Sequence, residues 1–187
     1  MSDIIPLIPR QKAPSLSLPL VGGGTWTLNE TPPRNFTLMV AYRGLHCPIC
    51  KMYLGGLNKL IEKFAERGVD VVVFSSDVEE RASQAVADWG LDAVQMAYGL
   101  SLEDARKWGL YISAGKGKTS IGIEEPALFS EPGVFMIRPD GEIFFVATQS
   151  MPFARPDLSG LIGAVDFVVA NNYPARGEIE NLPVAAE

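Results

Sequence analysis

Tyr42-Arg43-Gly44-Leu45-His46-Cys47-Pro48-Ile49-Cys50-Lys51 holds both cysteines and the single histidine of the chain. Before it runs Phe36-Thr37-Leu38-Met39-Val40-Ala41-Tyr42, a nearly continuous apolar stretch that reads as a strand buried on both faces. After it, Tyr53, Leu57, Leu60, Ile61 and Phe64 recur at spacings of three and four. That pattern predicts a long helix with one apolar stripe, stopped by Gly68. Gly55 and Gly56 inside the helix mark either a kink or a close backbone contact. Two thiols with two residues between them, one a proline, at a strand-to-helix junction point to redox chemistry.

Upstream, Pro6, Pro9 and Pro14 make residues 1–13 an extended arm. Leu16, Leu18 and Leu20, then Gly22-Gly23-Gly24, then Thr25-Trp26-Thr27-Leu28 predict a β-hairpin. Downstream, Val69 to Ser75 reads as a second buried strand and Asp77 as the cap of a helix over about 78–89, ended by Gly90. This strand–helix–strand order favours a parallel pair. Ala93 to Ala97 is a short strand, and Ser101 caps a helix to about Trp108. Residues 110–131 lack periodicity and are expected to be a mobile or partner-contacting loop. Lys116-Gly117-Lys118-Thr119-Ser120 is not a phosphate loop, because Ile112 stands where that motif needs glycine. A hairpin follows, Gly133–Ile137 and Glu142–Ala147 around Pro139-Asp140-Gly141. After the loop containing Arg155, which reads as an ordinary loop arginine, Asp157 caps a last helix. The organisation expected is an arm at 1–13, one domain at 14–170 and an extended tail at 171–187. The element order is that of an α/β thioredoxin-like fold, a central mixed sheet flanked by helices, with an N-terminal β-hairpin added.

Composition narrows the partners. A chain of 187 residues has room for one sizeable core. A formal net charge of −6 disfavours nucleic acid. No run approaches the roughly 18 apolar residues of a membrane helix. The first residues lack a basic region followed by an apolar run, so a cytoplasmic location is expected. In a reducing compartment a close cysteine pair is catalytic or metal-binding more often than structural.

Thiolate is the nucleophilic form of cysteine, and a helix N-terminus favours it. Cys47 falls at that position, with Pro48 at the first helical position, where its missing N–H costs nothing. The expected turn points Cys47 outward as the attacking thiol. Cys50, one helical turn on and more buried, is the resolving thiol. His46 either tunes Cys47 by its charge or is a partly exposed bystander. Arg43 either lowers the cysteine pKa or is a solvated surface arginine. A zinc site and a pair of inert buried thiols are the rival readings. Zinc would need four ligands where the chain offers two Cys and one His. The redox reading requires neither metal nor organic cofactor.

Val40 to Lys51, the second strand, the N-terminal hairpin and Pro132-Gly133-Val134-Phe135-Met136-Ile137-Arg138-Pro139-Asp140-Gly141 together resemble the AhpC/TSA peroxiredoxin-like (redoxin) family of the thioredoxin superfamily, in a Cys-Pro-x-Cys variant. The resemblance covers roughly residues 14 to 170. It implies a thiol-dependent peroxidase in which Cys47 becomes a sulfenic acid that Cys50 condenses with. Peroxiredoxins place Thr or Ser three residues before the reactive cysteine and proline seven before; Gly44 and Val40 stand there. They place arginine just before the late hairpin, where this chain has Pro132 after Glu131; Arg155 in the late loop either replaces that arginine or is an ordinary loop arginine. Pro132 looks like the cis-proline that thioredoxins pack against their CxxC pair. The implied partners are a thioredoxin- or glutathione-like thiol donor and a peroxide or protein disulfide substrate. The oligomeric state is left open, a homodimer included. The alternative is a redox-sensing or binding module in which the disulfide state moves the 110–131 loop.

Overall fold

The apolar run at 36–41 is the middle strand of a five-stranded sheet in the computed structural model, which describes residues 6–181. In chain order the elements are β1 (Ser17–Pro19), β2 (Thr25–Thr27), β3 (Phe36–Ala41), α1 (Pro48–Asn58), α2 (Ile61–Glu66), β4 (Val69–Phe74), α3 (Glu79–Trp89), β5 (Gln95–Ala97), α4 (Leu102–Lys107), β6 (Ile112–Ala114), β7 (Leu128–Ser130), β8 (Gly133–Ile137), β9 (Ile143–Thr148) and α5 (Leu158–Asn171). The sheet order is β5-β4-β3-β8-β9. β3, β4 and β5 are parallel, whereas β8 is antiparallel to β3 and β9 to β8. This is the expected thioredoxin-like plan, with β1 and β2 as the added hairpin.

Every residue of β3 is buried, because both faces of the sheet are covered. Leu38 and Val40 point to a core built with Leu54 and Leu57 of α1, Phe64 of α2 and Val165 of α5. Met39 and Ala41 point to a second core with Leu16, Leu18 and Trp108. Side-chain alternation along a strand produces this division.

Four expectations change. The long helix is two, broken at Lys59 and Leu60. Gly55 and Gly56 lie within α1 with open space around them, so they mark neither the kink nor a close contact. Asp77 does not cap α3; Val78 holds that position without a side-chain bond, because the Asp77 carboxylate is engaged elsewhere. The 110–131 segment is no loose loop. β6 pairs antiparallel with β7, and backbone bonds from Gly115 to Ala127 and from Glu125 to Gly117 continue the ladder towards its tip. Periodicity missed it because its strands are three residues long and mix exposed, half-buried and buried positions.

The described part of the arm joins the sheet end: Arg10 donates to Ile143 O, Ile143 to Gln11 O and Ala13 to Gly141 O. The described tail crosses the arm, where Arg10 reaches Ala175 O and pairs with Glu178 at 3.1 Å. The expectations for residues 1–5 and 182–187 lie outside the described residues.

Candidate active site

β3 delivers the chain to the thiols. Tyr42 N–H bonds Phe74 O at 2.9 Å, prolonging the pairing of β3 with β4. Gly44 follows with φ +131°, a conformation open to glycine and little else. Cys47 N–H closes a turn on Gly44 O at 3.1 Å, and Asp77 Oδ2 accepts Leu45 N–H at 2.7 Å from behind. Cys47 then caps α1 in extended geometry. Its Sγ accepts Cys50 N–H at 3.2 Å, and Pro48 opens the helix. The sulfur thus takes the place of a capping oxygen, where unpaired N–H groups favour negative charge.

Both thiols are free and buried, Cys47 at 1% exposure and Cys50 at 0%. The outward-facing Cys47 of the sequence reading is corrected by what lies over it. The loop before α5 carries Arg155, whose Nη2 donates to Cys50 Sγ at 3.1 Å and lies 3.8 Å from Cys47 Sγ. Arg155 is itself held by Pro152 O at 2.8 Å and by the face of Tyr53, 5.1 Å from its centroid. The expectation of an ordinary loop arginine does not hold.

These contacts push the two thiols apart in acidity. Cys47 is lowered from 9.0 to about 6. The hydrogen bond from the Cys50 thiol contributes most; burial opposes it; the Cys50 amide, Arg155 and Arg43 add to the lowering. Cys50 is raised well above the ordinary value, first by burial and then by its hydrogen bond and proximity to Cys47. The arrangement is an anionic sulfur beside a protonated one.

His46 is fully buried rather than partly exposed. Its ring meets Phe129 edge-on at 4.6 Å, and Nδ1 faces Arg81 Nη2 at 3.5 Å. Arginine only donates, so Nδ1 accepts and a second ring proton has no place there. Burial first, then Arg43, lowers the His46 pKa from 6.5 to about 4, Glu125 opposing. The ring is therefore neutral at physiological pH and does not tune Cys47 by charge. Arg43 pairs with Glu131 at 3.1 Å and Glu125 at 3.4 Å and stacks on Phe129 at 4.7 Å. It acts on Cys47 only as a minor contribution and is mainly the anchor of the β6–β7 hairpin.

Pro132 directly precedes β8, with Glu131 between it and the end of β7. Ala41 pairs with Gly133, which sets Pro132 level with Tyr42, at the end of the sheet from which the thiol loop leaves. No peptide bond among the described residues is cis. Glu131 N–H bonds Tyr111 O and Gln149 N–H bonds Pro132 O, so the chain runs extended from one ladder into the next through a trans proline. Among the described residues no group of three or more His, Cys, Asp or Glu is placed to hold a metal.

Sequence reasoning raised Arg155 only as a substitute for the absent family arginine and favoured an ordinary loop residue; it missed Asp77 as a site residue, Arg81 and the Glu125–Phe129–Glu131 face. Arg155 sits between Pro152 and Pro156 and just before a helix cap, a rigid setting that hinted at a fixed role. Asp77 and Arg81, four apart on a helix start, were visible as an ion pair.

A thioredoxin-like sheet that presents a CxxC pair at the first turn of its helix defines a thiol-based redox protein. Residues 9–146 match the AhpC/TSA family, and the chain belongs to it; it is an oxidoreductase of the peroxiredoxin-like kind. Solved structures share its fold. A peroxiredoxin-like protein from Aquifex aeolicus is 18% identical, over 88% of this chain and 90% of that one, with a TM-score of 0.69. AhpC from Mycobacterium bovis is 15% identical, over 94% and 100%, with a TM-score of 0.70. Peroxidoxin BcpB from Mycobacterium tuberculosis is 15% identical, over 87% and 98%, with a TM-score of 0.66. No curated protein matches the chain.

Proposed function

We propose that the protein reduces peroxides through Cys47 and closes a Cys47–Cys50 disulfide in each turnover. The Cys47 thiolate attacks the terminal peroxide oxygen, the O–O bond breaks, and the alkoxide or hydroxide leaves and takes a proton. Cys47 is then a sulfenic acid. The Cys50 sulfur attacks the Cys47 sulfur, and the Cys50 proton leaves with the sulfenic oxygen as water. Two thiols of a thioredoxin- or glutathione-like donor restore the dithiol and become a disulfide themselves. A reducing compartment such as the cytoplasm supplies such donors.

Burial of Cys47 beneath Arg155 carries the choice of substrate: at 1% exposure a small oxidant reaches the sulfur far more readily than a disulfide on a folded protein. Arg155, 3.8 Å from that sulfur, also supplies the cation that the family pattern places elsewhere. Exchange with protein disulfides is the second reading, favoured by Gly44, which offers no hydroxyl to a peroxide. Peroxide consumption with a thiol donor, abolished by Cys47→Ser, is the expected result. Reduction of insulin disulfides without peroxide consumption would instead establish the second reading. Stoichiometric oxidation without turnover would leave a sensor.

A further inference from the structure

Gly44 stands three residues before Cys47, and the space beside its Cα is already filled. A Cβ there would lie 2.8 Å from both carboxylate oxygens of Asp77, and φ +131° independently disfavours any side chain. Asp77 is 2% exposed and fixed on every side. Oδ2 accepts Leu45 N–H at 2.7 Å and Oδ1 accepts Arg81 Nε–H at 2.9 Å. Its own N–H donates to Ser75 Oγ at 3.2 Å, and its carbonyl accepts Gly99 N–H at 2.9 Å. Leu45 is 2% exposed, so its amide has no water to fall back on.

We propose that Asp77 is a positioning residue for the thiol loop, occupying from behind the room that a hydroxyl side chain at position 44 would need and holding Cys47 in its capping geometry through the Leu45 amide. The inference rests on Cys47 being the attacking thiol. The chain of contacts is short. Asp77 orients the Leu45 peptide, Gly44 O meets Cys47 N–H at 3.1 Å, and Cys47 Sγ meets Cys50 N–H at 3.2 Å. Gly44 is the complement of Asp77, not a defect in a peroxidase pattern.

The sign of one titration separates position from charge. The groups acting on Cys47 are Cys50, Arg155 and Arg43. Removing the Asp77 charge alone leaves Arg81 unneutralised and would make Cys47 more acidic. Losing the Leu45 hydrogen bond displaces Cys47 from the helix start and makes it less acidic. Thiolate absorbance is followed against pH in reduced full-length protein, with Cys47→Ser as the blank and circular dichroism checking the fold. Asp77→Ala is expected to raise the midpoint by about one unit, a tenfold smaller thiolate-to-thiol ratio. Asp77→Asn keeps an acceptor for Leu45 and is expected to stay at or below the wild-type midpoint. A folded Asp77→Ala protein with an unchanged or lower midpoint overturns the proposal. So does an Asp77→Asn midpoint raised by about a unit, which decides the matter even where Asp77→Ala does not fold. A wild-type protein titrating like a free thiol would instead remove the assignment of Cys47 itself.

Discussion

Burial of Cys50 and its thiol hydrogen bond to Cys47 set the acidity order of the pair, and Arg155 lowers both thiols. A guanidinium 3.8 Å from one sulfur and 3.1 Å from the other favours the state in which one of them is anionic. Arg155→Ala is therefore expected to raise the Cys47 midpoint from about 6 and, for a rise of about one unit, to slow oxidation by peroxide about twofold at pH 7. Stopped-flow consumption of peroxide across a pH series checks both. At this scale the sequence was legible where the chemistry is local: Cys47, Pro48 and Cys50 declare themselves by spacing. Arg155 does not, since 105 positions separate it from Cys50 and no periodic signal links them. Gly44 was legible only as a missing hydroxyl; its cause, Asp77, lies on another loop.

The β6–β7 hairpin is the element that the pattern hid. It brings Glu125, Phe129 and Glu131 against Arg43 and His46 on one side of the thiol loop, and Arg81 reaches Glu124 O at 3.2 Å. Neutral His46 at the centre makes this packing acid-sensitive. The unfolded chain takes a proton at His46 near pH 6.5, the folded chain only near 4. Between those values the unfolded state binds more protons, so stability is present above pH 6.5 and lost as pH falls towards 4. The loss by about pH 4.5 is expected to be about 2–3 kcal/mol from this residue. Urea midpoints at neutral and acid pH measure it, and His46→Phe is expected to remove that part of the slope. Elements with a strong apolar signal, the continuous runs of β3 and β4 and the apolar side of α5, are legible in the sequence. The α1–α2 break is not, since the apolar stripe continues across it and hides the two turn residues.

The whole molecule is a sheet with two cores, and β3 feeds both. Leu38 is fully buried on the α1 side, so Leu38→Ala is expected to cost about 2–5 kcal/mol in urea unfolding. Met52→Ala on the outer face of α1, 67% exposed, is expected to change it by less than about 0.5 kcal/mol. Equal effects would mean that the face assignment of α1 is wrong. We propose residues 14–170 as the redox domain, with the described parts of the arm and tail, residues 6–13 and 171–181, strapping its far end. The sheet, the two cores and the thiol loop converge on one chemical event at the end of β3. Reduced protein treated with one equivalent of peroxide, digested without reductant and mass-mapped, tests that event most directly. A single peptide spanning residues 44–51 with an internal Cys47–Cys50 bond, lighter than its reduced form by two hydrogens, is the predicted result. Cys47 carrying oxygen with Cys50 still a free thiol, or both thiols unchanged, would contradict it.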